Sequence, residues 1–206
     1  MHLNKKRGRK YRPASIRRRR RIFSTASRLF SQKGYLATSL DDIATAASVN
    51  KASVYYYYRS KADLLYEIAL SAIQALLDLA APIADSDLSP RQKLEALVVN
   101  HLLYEMSHIG LVRIGDMERK NLPLKLLRQY TAMRDEYERV FRTTIEQGTI
   151  ERQFRRTDSK IAALFLLGFA NSIIGWYKPD GELSAQEIAS RAWTVTWAAL
   201  GSDNCY

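Results

Sequence analysis

TSLDDIATAASVNKASVYYYYRSKADLL, residues 38–65, holds two short helical patterns separated by the turn Ser48-Val49-Asn50. Thr38 or Ser39 is placed to cap the first pattern, and Asp41 and Asp42 lie in its opening turn, where carboxylates suit free backbone N–H groups. Leu40, Ile43, Ala44 and Ala47 then share one apolar face at helical spacing. The second pattern, Lys51 to Tyr57, turns Val54 inward together with Tyr58, and leaves Lys51, Ser53, Tyr55 and Tyr56 outward. A turn this short permits only a tight angle. A helix, short turn and second helix presenting small, hydroxylic and cationic groups is the geometry that lays a recognition helix in the major groove of DNA. Ser60 caps a further helix with Lys61 in its first turn, where a helix N-terminus and a cation together hold a phosphate.

The stretch resembles the DNA-binding motif of the TetR family of regulators. The resemblance is carried by Thr38, Asp42, Ile43, Ala44, Ala47, Val49, Lys51, Ser53, Val54, Tyr55, Tyr56, Ser60, Lys61, Asp63 and Leu64. The chain departs from the family pattern at Ser48 and Ala52, where glycine is usual, and at Tyr57 and Tyr58, where His and Phe are usual. Ser48 is expected to need a left-handed backbone, a strain of about 1 kcal/mol for a residue with a side chain. The resemblance implies an N-terminal three-helix DNA-binding domain reading a palindromic double-stranded operator as a homodimer. Lys51, Ser53 and Tyr55 are expected at bases, with Ala52 beside them; Thr38, Ser39, Tyr56, Tyr57 and Lys61 are expected at phosphates.

Charge points the same way. The net charge is +11, from 32 basic and 21 acidic residues, and the first 21 residues hold eleven of the basic ones and none of the acidic. The excess therefore sits immediately before the motif. Residues 1–14 are expected to form a disordered basic arm, and Arg17 and Arg18 to lie on the DNA side of a first helix. That helix is expected over about 15–33, with Ile22, Ala26, Leu29 and Phe30 as its apolar stripe and Gly34 at its end.

Gly and Pro are sparse and strand-like alternation is nearly absent, so the chain reads as all-α. Cys205 is the sole cysteine, which excludes an internal disulfide or thiolate metal site. No apolar run is expected to reach the roughly eighteen residues of a membrane span, and the basic N-terminus has no following apolar segment, so no membrane partner and a cytoplasmic location are expected. The DNA-binding domain is assigned to residues 15–80, with its motif at 39–58 and a linking helix running to about Leu79; Pro82 marks a break, and residues 81–206 form a helical domain for ligand binding and dimerisation. Its helices are expected at about 90–107, 109–119, 122–147, 158–177 and 184–200. The last two mix small and large apolar residues on two faces, the pattern of a four-helix dimer interface.

His101, Glu105 and His108 share a helical face, but the histidines are two turns apart and no further ligand presents itself; local hydrogen bonding is the expectation, with no metal and no cofactor. No phosphate loop, nucleophile elbow or catalytic carboxylate pair is present, so an enzyme is not expected. A binding pocket is. Tyr104, Met117, Tyr130, Met133, Tyr137, Phe165, Phe169 and Trp176 bring aromatics and thioethers to the middle and late helices, with Arg113, Arg119 and Arg128 among them and Asn171 inside an apolar helix.

From about residue 105 to 200 the chain resembles a narrower group of TetR-type regulators, those of fatty-acid, branched-acid or sterol breakdown. The matching segments are Arg134-Asp135-Glu136-Tyr137-Glu138, Gly148 to Phe154, Asp158, Leu167-Gly168 with Asn171, and Trp176 to Gly181 followed by Leu183-Ser184 and Glu187-Ile188. This implies a repressor released by an acyl-CoA. Met117, Tyr130, Met133, Phe165 and Phe169 are then expected around the acyl chain, Asn171 at the thioester, and Arg113, Arg119 and Arg128 at the phosphates. Two other functions fit the same sequence: a ligand-independent protein that organises DNA, and a repressor of an efflux system that answers to a hydrophobic drug.

Overall fold

Helix α1, Pro13–Lys33, carries the arginine run directly into an apolar stripe: Ile22, Ala26, Leu29 and Phe30 are buried, while Arg17, Arg18, Arg20 and Arg21 face solvent. The structure, a computed structural model, describes residues 13–202, so Lys5 to Arg12 of the basic arm and Cys205 lie outside the described residues. Gly34, at φ 84°, ends α1 in the left-handed conformation that a glycine adopts without strain. Helices α2 (Leu40–Ala46) and α3 (Lys51–Tyr57) follow, and α2 packs on both α1 and α3. Ile43, Val54, Tyr58 and Leu64 are buried, as the helical spacing requires. Ser48 does take the left-handed backbone, at φ 51°.

The fourth helix corrects an expectation. Helix α4 runs from Lys61 to Ala84 straight through Pro82 instead of ending near Leu79. A proline removes one N–H and crowds the preceding turn, so it is best tolerated close to a helix end, and here only two helical residues follow it. The chain separates into two compact units at Leu64 and Leu65, inside this helix, rather than after it. Two helical stretches, 61–84 and 159–176, are also long and apolar enough by length and composition to cross a membrane, contrary to the expectation; 44% and 28% of their apolar windows are buried within the protein, and core helices pass the same test.

The second unit is built round α5 (Pro90–Ser107), which packs against α6 (Ile109–Glu118), α7 (Leu124–Ile150), α8 (Ser159–Asn171), the short α9 (Ile173–Trp176) and α10 (Ala185–Leu200). Surrounded in this way, α5 buries Leu94, Leu97, Val98, Leu102 and Met106, and also His101 and Glu105. Helix α7 outruns its expected end at 147. Gly148 falls inside it because a Cβ there would meet the Phe154 ring at 2.2 Å; the chain folds back past Gly148 and joins Phe154 to Gly201 in an isolated antiparallel bridge. Among the described residues there is no strand, and the fold is all-α.

On α8, Ala163, Leu166 and Ala170 face inward, and on α10, Ala189, Trp193 and Thr196 do. Ile161, Phe165, Phe169, Trp176 and Val195 are left exposed. Both late helices therefore carry a second apolar face that nothing in the single chain covers.

Candidate DNA-reading face and ligand cavity

The turn and the recognition helix are held by short-range caps. Ser39 Oγ accepts from the Asp42 N–H at 3.0 Å, while the Asp42 carboxylate accepts from the Ser39 N–H at 2.8 Å. Those bonds hold the Asp42 carboxyl below its usual range, the Ser39 hydroxyl contributing most. Asn50 caps α3 by accepting from the Ser53 N–H at 2.8 Å, a role the sequence analysis did not assign although Asn is a strong N-cap residue. Lys51, Ala52, Tyr55 and Tyr56 are exposed on α3, and Ser53 is half-buried with its hydroxyl 2.6 Å from Asn50 Oδ1. Lys51 donates to Asp41 at 2.8 Å, and this hydrogen bond raises its pKa. Both partners are more than half exposed, so the pair is cheap to open when a phosphate or base competes.

Three expected DNA contacts are occupied within the fold. Lys61 Nζ donates to the carbonyls of Tyr35 and Thr38 at 2.8 and 2.9 Å and lies 4.2 Å from the Tyr35 ring centroid. An ammonium has three protons, so Lys61 braces the α1–α2 turn instead of standing ready for a phosphate. Thr38 is buried at 1% exposure and donates to the Gly34 carbonyl at 2.9 Å. Tyr57 OH lies 2.9 Å from Ser15 Oγ and 3.2 Å from the Ser15 carbonyl oxygen, tying α3 to the start of α1. These three position the reading face; Arg17, Arg18, Ser39, Lys51, Ala52, Tyr55 and Tyr56 are the expected contacts that present surface to a ligand.

The second unit holds a cavity of about 570 Å³ walled by α4 to α9. One part of its wall is apolar, with Ala72, Ile73, Leu76, Val112, Leu164 and Leu167; another carries the cations Arg134, Arg139, Arg142 and Lys160. Of the expected ligand residues, Tyr130, Tyr137 and Asn171 line it. Burial raises the pKa of both tyrosines, and the charge on Glu105 pushes Tyr137 further the same way, so both remain neutral phenols.

The other expected ligand residues are elsewhere. Met117 is 61% exposed, Phe165 77%, Phe169 52% and Trp176 57%, so none forms part of a buried acyl-chain site within the chain. The stripe containing the phenylalanines is as periodic as the one containing Ala163 and Leu166, and packing on α5 and α7 selected the smaller residues. Tyr104 stacks on His108 with ring centroids 4.3 Å apart. Arg113 Nη2 donates to the Ile174 carbonyl at 2.8 Å, Arg119 lies 3.4 Å from Asp116, Arg128 is exposed and Met133 is half-buried away from the lining. The cations missed were Arg139, Arg142 and Lys160, which stand in an ordinary surface-like charge pattern in the sequence.

The sequence profile of the bacterial regulatory proteins of the tetR family matches residues 22–68, and that of the tetracyclin repressor-like C-terminal domain matches residues 87–200. The chain is 26% identical over 187 residues to the HTH-type transcriptional repressor KstR2 of Rhodococcus jostii, covering 90% of this chain and 92% of that protein. Its fold is similar to that of PfmR, a TetR family transcriptional regulator from Thermus thermophilus, with a TM-score of 0.81 and 29% identity over 87% of this chain and 98% of that one. It is similar also to AibR, solved in complex with isovaleryl coenzyme A and operator DNA, with a TM-score of 0.79 and 25% identity over 88% and 97% of the two chains.

Proposed function

Because the chain belongs to the TetR family of regulators, we propose that it is a homodimeric transcriptional repressor that leaves its operator when an acyl-CoA enters the cavity of the second unit. The cavity carries this reading. An acyl-CoA brings a hydrocarbon chain and several phosphates, and the lining offers an apolar wall beside Arg134, Arg139, Arg142 and Lys160 in a volume suited to a small ligand. A purely hydrophobic drug would have no use for so charged a lining, in which Glu105, Asp116, Asp135 and Glu138 stand among the cations. The repressor role follows KstR2, and the thioester follows AibR with its bound isovaleryl coenzyme A. Lipid, fatty-acid or sterol breakdown is the corresponding class of regulated genes.

The dimer is supported by the apolar side chains that the late helices leave exposed, Phe165 and Phe169 on α8, Trp176 on α9 and Val195 on α10, which a second copy would cover. Two copies present two recognition helices, and the operator is then palindromic, read by Lys51, Ser53 and Tyr55. Helix α4 supplies Ala72, Ile73 and Leu76 to the cavity wall and carries Lys61 into the brace of the α1–α2 turn. A ligand that favours one setting of this helix shifts the population of operator-competent dimers.

The test is operator binding followed by fluorescence anisotropy, titrated with an acyl-CoA and with the matching free acid. The thioester is expected to release DNA at a lower concentration than the acid, and Arg142→Ala to narrow that gap. Equal potency removes the coenzyme A part of the reading; no release by either leaves a regulator that does not answer to acyl compounds. On the DNA side, a Lys51→Ala, Ser53→Ala double variant is expected to lose operator preference, and retention of full preference would misplace the reading face.

A further inference from the structure

The deep wall of the cavity contains a polar cluster that the acyl-CoA reading leaves unused. His101 and Glu105 stand one turn apart on α5 at 3% and 1% exposure, and Tyr137 reaches them from α7 at 5%; all three line the cavity. His101 Nδ1 lies 3.0 Å from Tyr137 OH, and its ring is stacked on Tyr137 and edge-on to Phe141, so its orientation is over-determined. His101 Nε2 lies 3.4 Å from Glu105 Oε1 without hydrogen-bond geometry, and Glu105 Oε2 has no partner.

Donation in this cluster runs one way. Tyr137 keeps its proton, because burial and the charge on Glu105 both hold its pKa high. In the imidazole tautomer that accepts from the phenol at Nδ1, the ring proton sits on Nε2, the nitrogen beside Glu105. No group in the cluster reaches Glu105 Oε2, so the chain of hydrogen bonds stops short of it. An acceptor left bare in so buried a place costs the full desolvation of the group.

Resting on the acyl-CoA reading, we propose that the inducer's acyl group carries a hydroxyl and that Glu105 accepts a hydrogen bond from it at the inner wall of the cavity. An alcohol supplies the O–H that Oε2 lacks, and its oxygen accepts in turn from His101 Nε2. A plain hydrocarbon supplies neither partner, and a ketone can only accept. A protonated amine would donate, but it has no lone pair with which to accept from His101 Nε2. Sites built to bond a substrate hydroxyl reject the analogue lacking it, because the site's own polar groups are then left unpaired.

The intact protein on operator DNA is titrated with octanoyl-CoA, 3-hydroxyoctanoyl-CoA, 8-hydroxyoctanoyl-CoA and 3-oxooctanoyl-CoA. At least one hydroxy compound is expected to release DNA at a concentration about ten- to a hundredfold lower than octanoyl-CoA and the oxo compound. Which hydroxy compound does so reports how far along the chain the cluster reads. Glu105→Gln keeps the shape and adds a donor, so it is expected to raise the potency of the oxo compound toward that of the hydroxy compound. Altered packing alone would shift both alike. Equal potency of all four, or a preference for the oxo compound in the unaltered protein, overturns the hydroxyl proposal and leaves the acyl-CoA reading standing. Release by none of the four overturns both.

Discussion

The two units treat their buried polar groups in opposite ways. In the first, Thr38 is buried and satisfied by Gly34, and the Lys61 ammonium is consumed by the carbonyls of the α1–α2 turn. In the second, His101, Glu105, Glu138 and Arg142 each keep a buried atom without a hydrogen-bond partner, and all four line one cavity. A unit that presents a fixed helix to DNA gains from closing every bond in advance. A unit that senses a molecule needs polar atoms whose bonds are completed by that molecule, and it gives up stability while the site is empty.

The largest test of this contrast replaces the buried His101–Glu105 pair as a whole. A His101→Phe, Glu105→Leu double variant is expected to raise the stability of the ligand-free protein by about 1–4 kcal/mol, because apolar side chains of similar volume escape the desolvation cost of the pair. Thermal unfolding checks it, and a loss of stability would show that the pair is already well served. In the first unit the same kind of change has the opposite sign. Thr38→Val keeps the shape but strands the Gly34 carbonyl, and is expected to cost about 1 kcal/mol with a lower melting temperature of the DNA-binding unit.

The smallest effect concerns pH. The folded state lowers the Asp42 pKa, so the bond to Ser39 adds stability that is present above the unfolded value of 3.8 and is lost as pH falls through the lower folded one. Asp42→Asn abolishes that dependence. The stability difference between the two proteins is therefore expected to shrink as unfolding is followed from neutral pH to below pH 3.8. A difference that stays constant over that range would mean that the capping carboxylate carries no charge-dependent share.

What the amino-acid sequence determined by itself is what lies within a helical turn or two. The inward Val54 and Tyr58 and the end of α1 at Gly34 are set by neighbours a few residues away, so spacing was enough to find them; the cap was narrowed to Thr38 or Ser39, and the left-handed Ser48 came from the family resemblance. The same rule placed Lys51, Tyr55 and Tyr56 on the exposed side of α3. Tertiary structure decided the rest. Lys61, which the sequence analysis expected at a phosphate, donates to carbonyls 23 and 26 residues away, which no local pattern announces. Helix α8 offered two equally periodic apolar stripes, and only packing on α5 and α7 chose to bury Ala163 and Leu166 and to leave Phe165 and Phe169 outside. The cavity depends on the rotation of six helices about one another. Periodicity sets which residues share a face of one helix, but the direction in which that face points is settled only when the other helices pack against it.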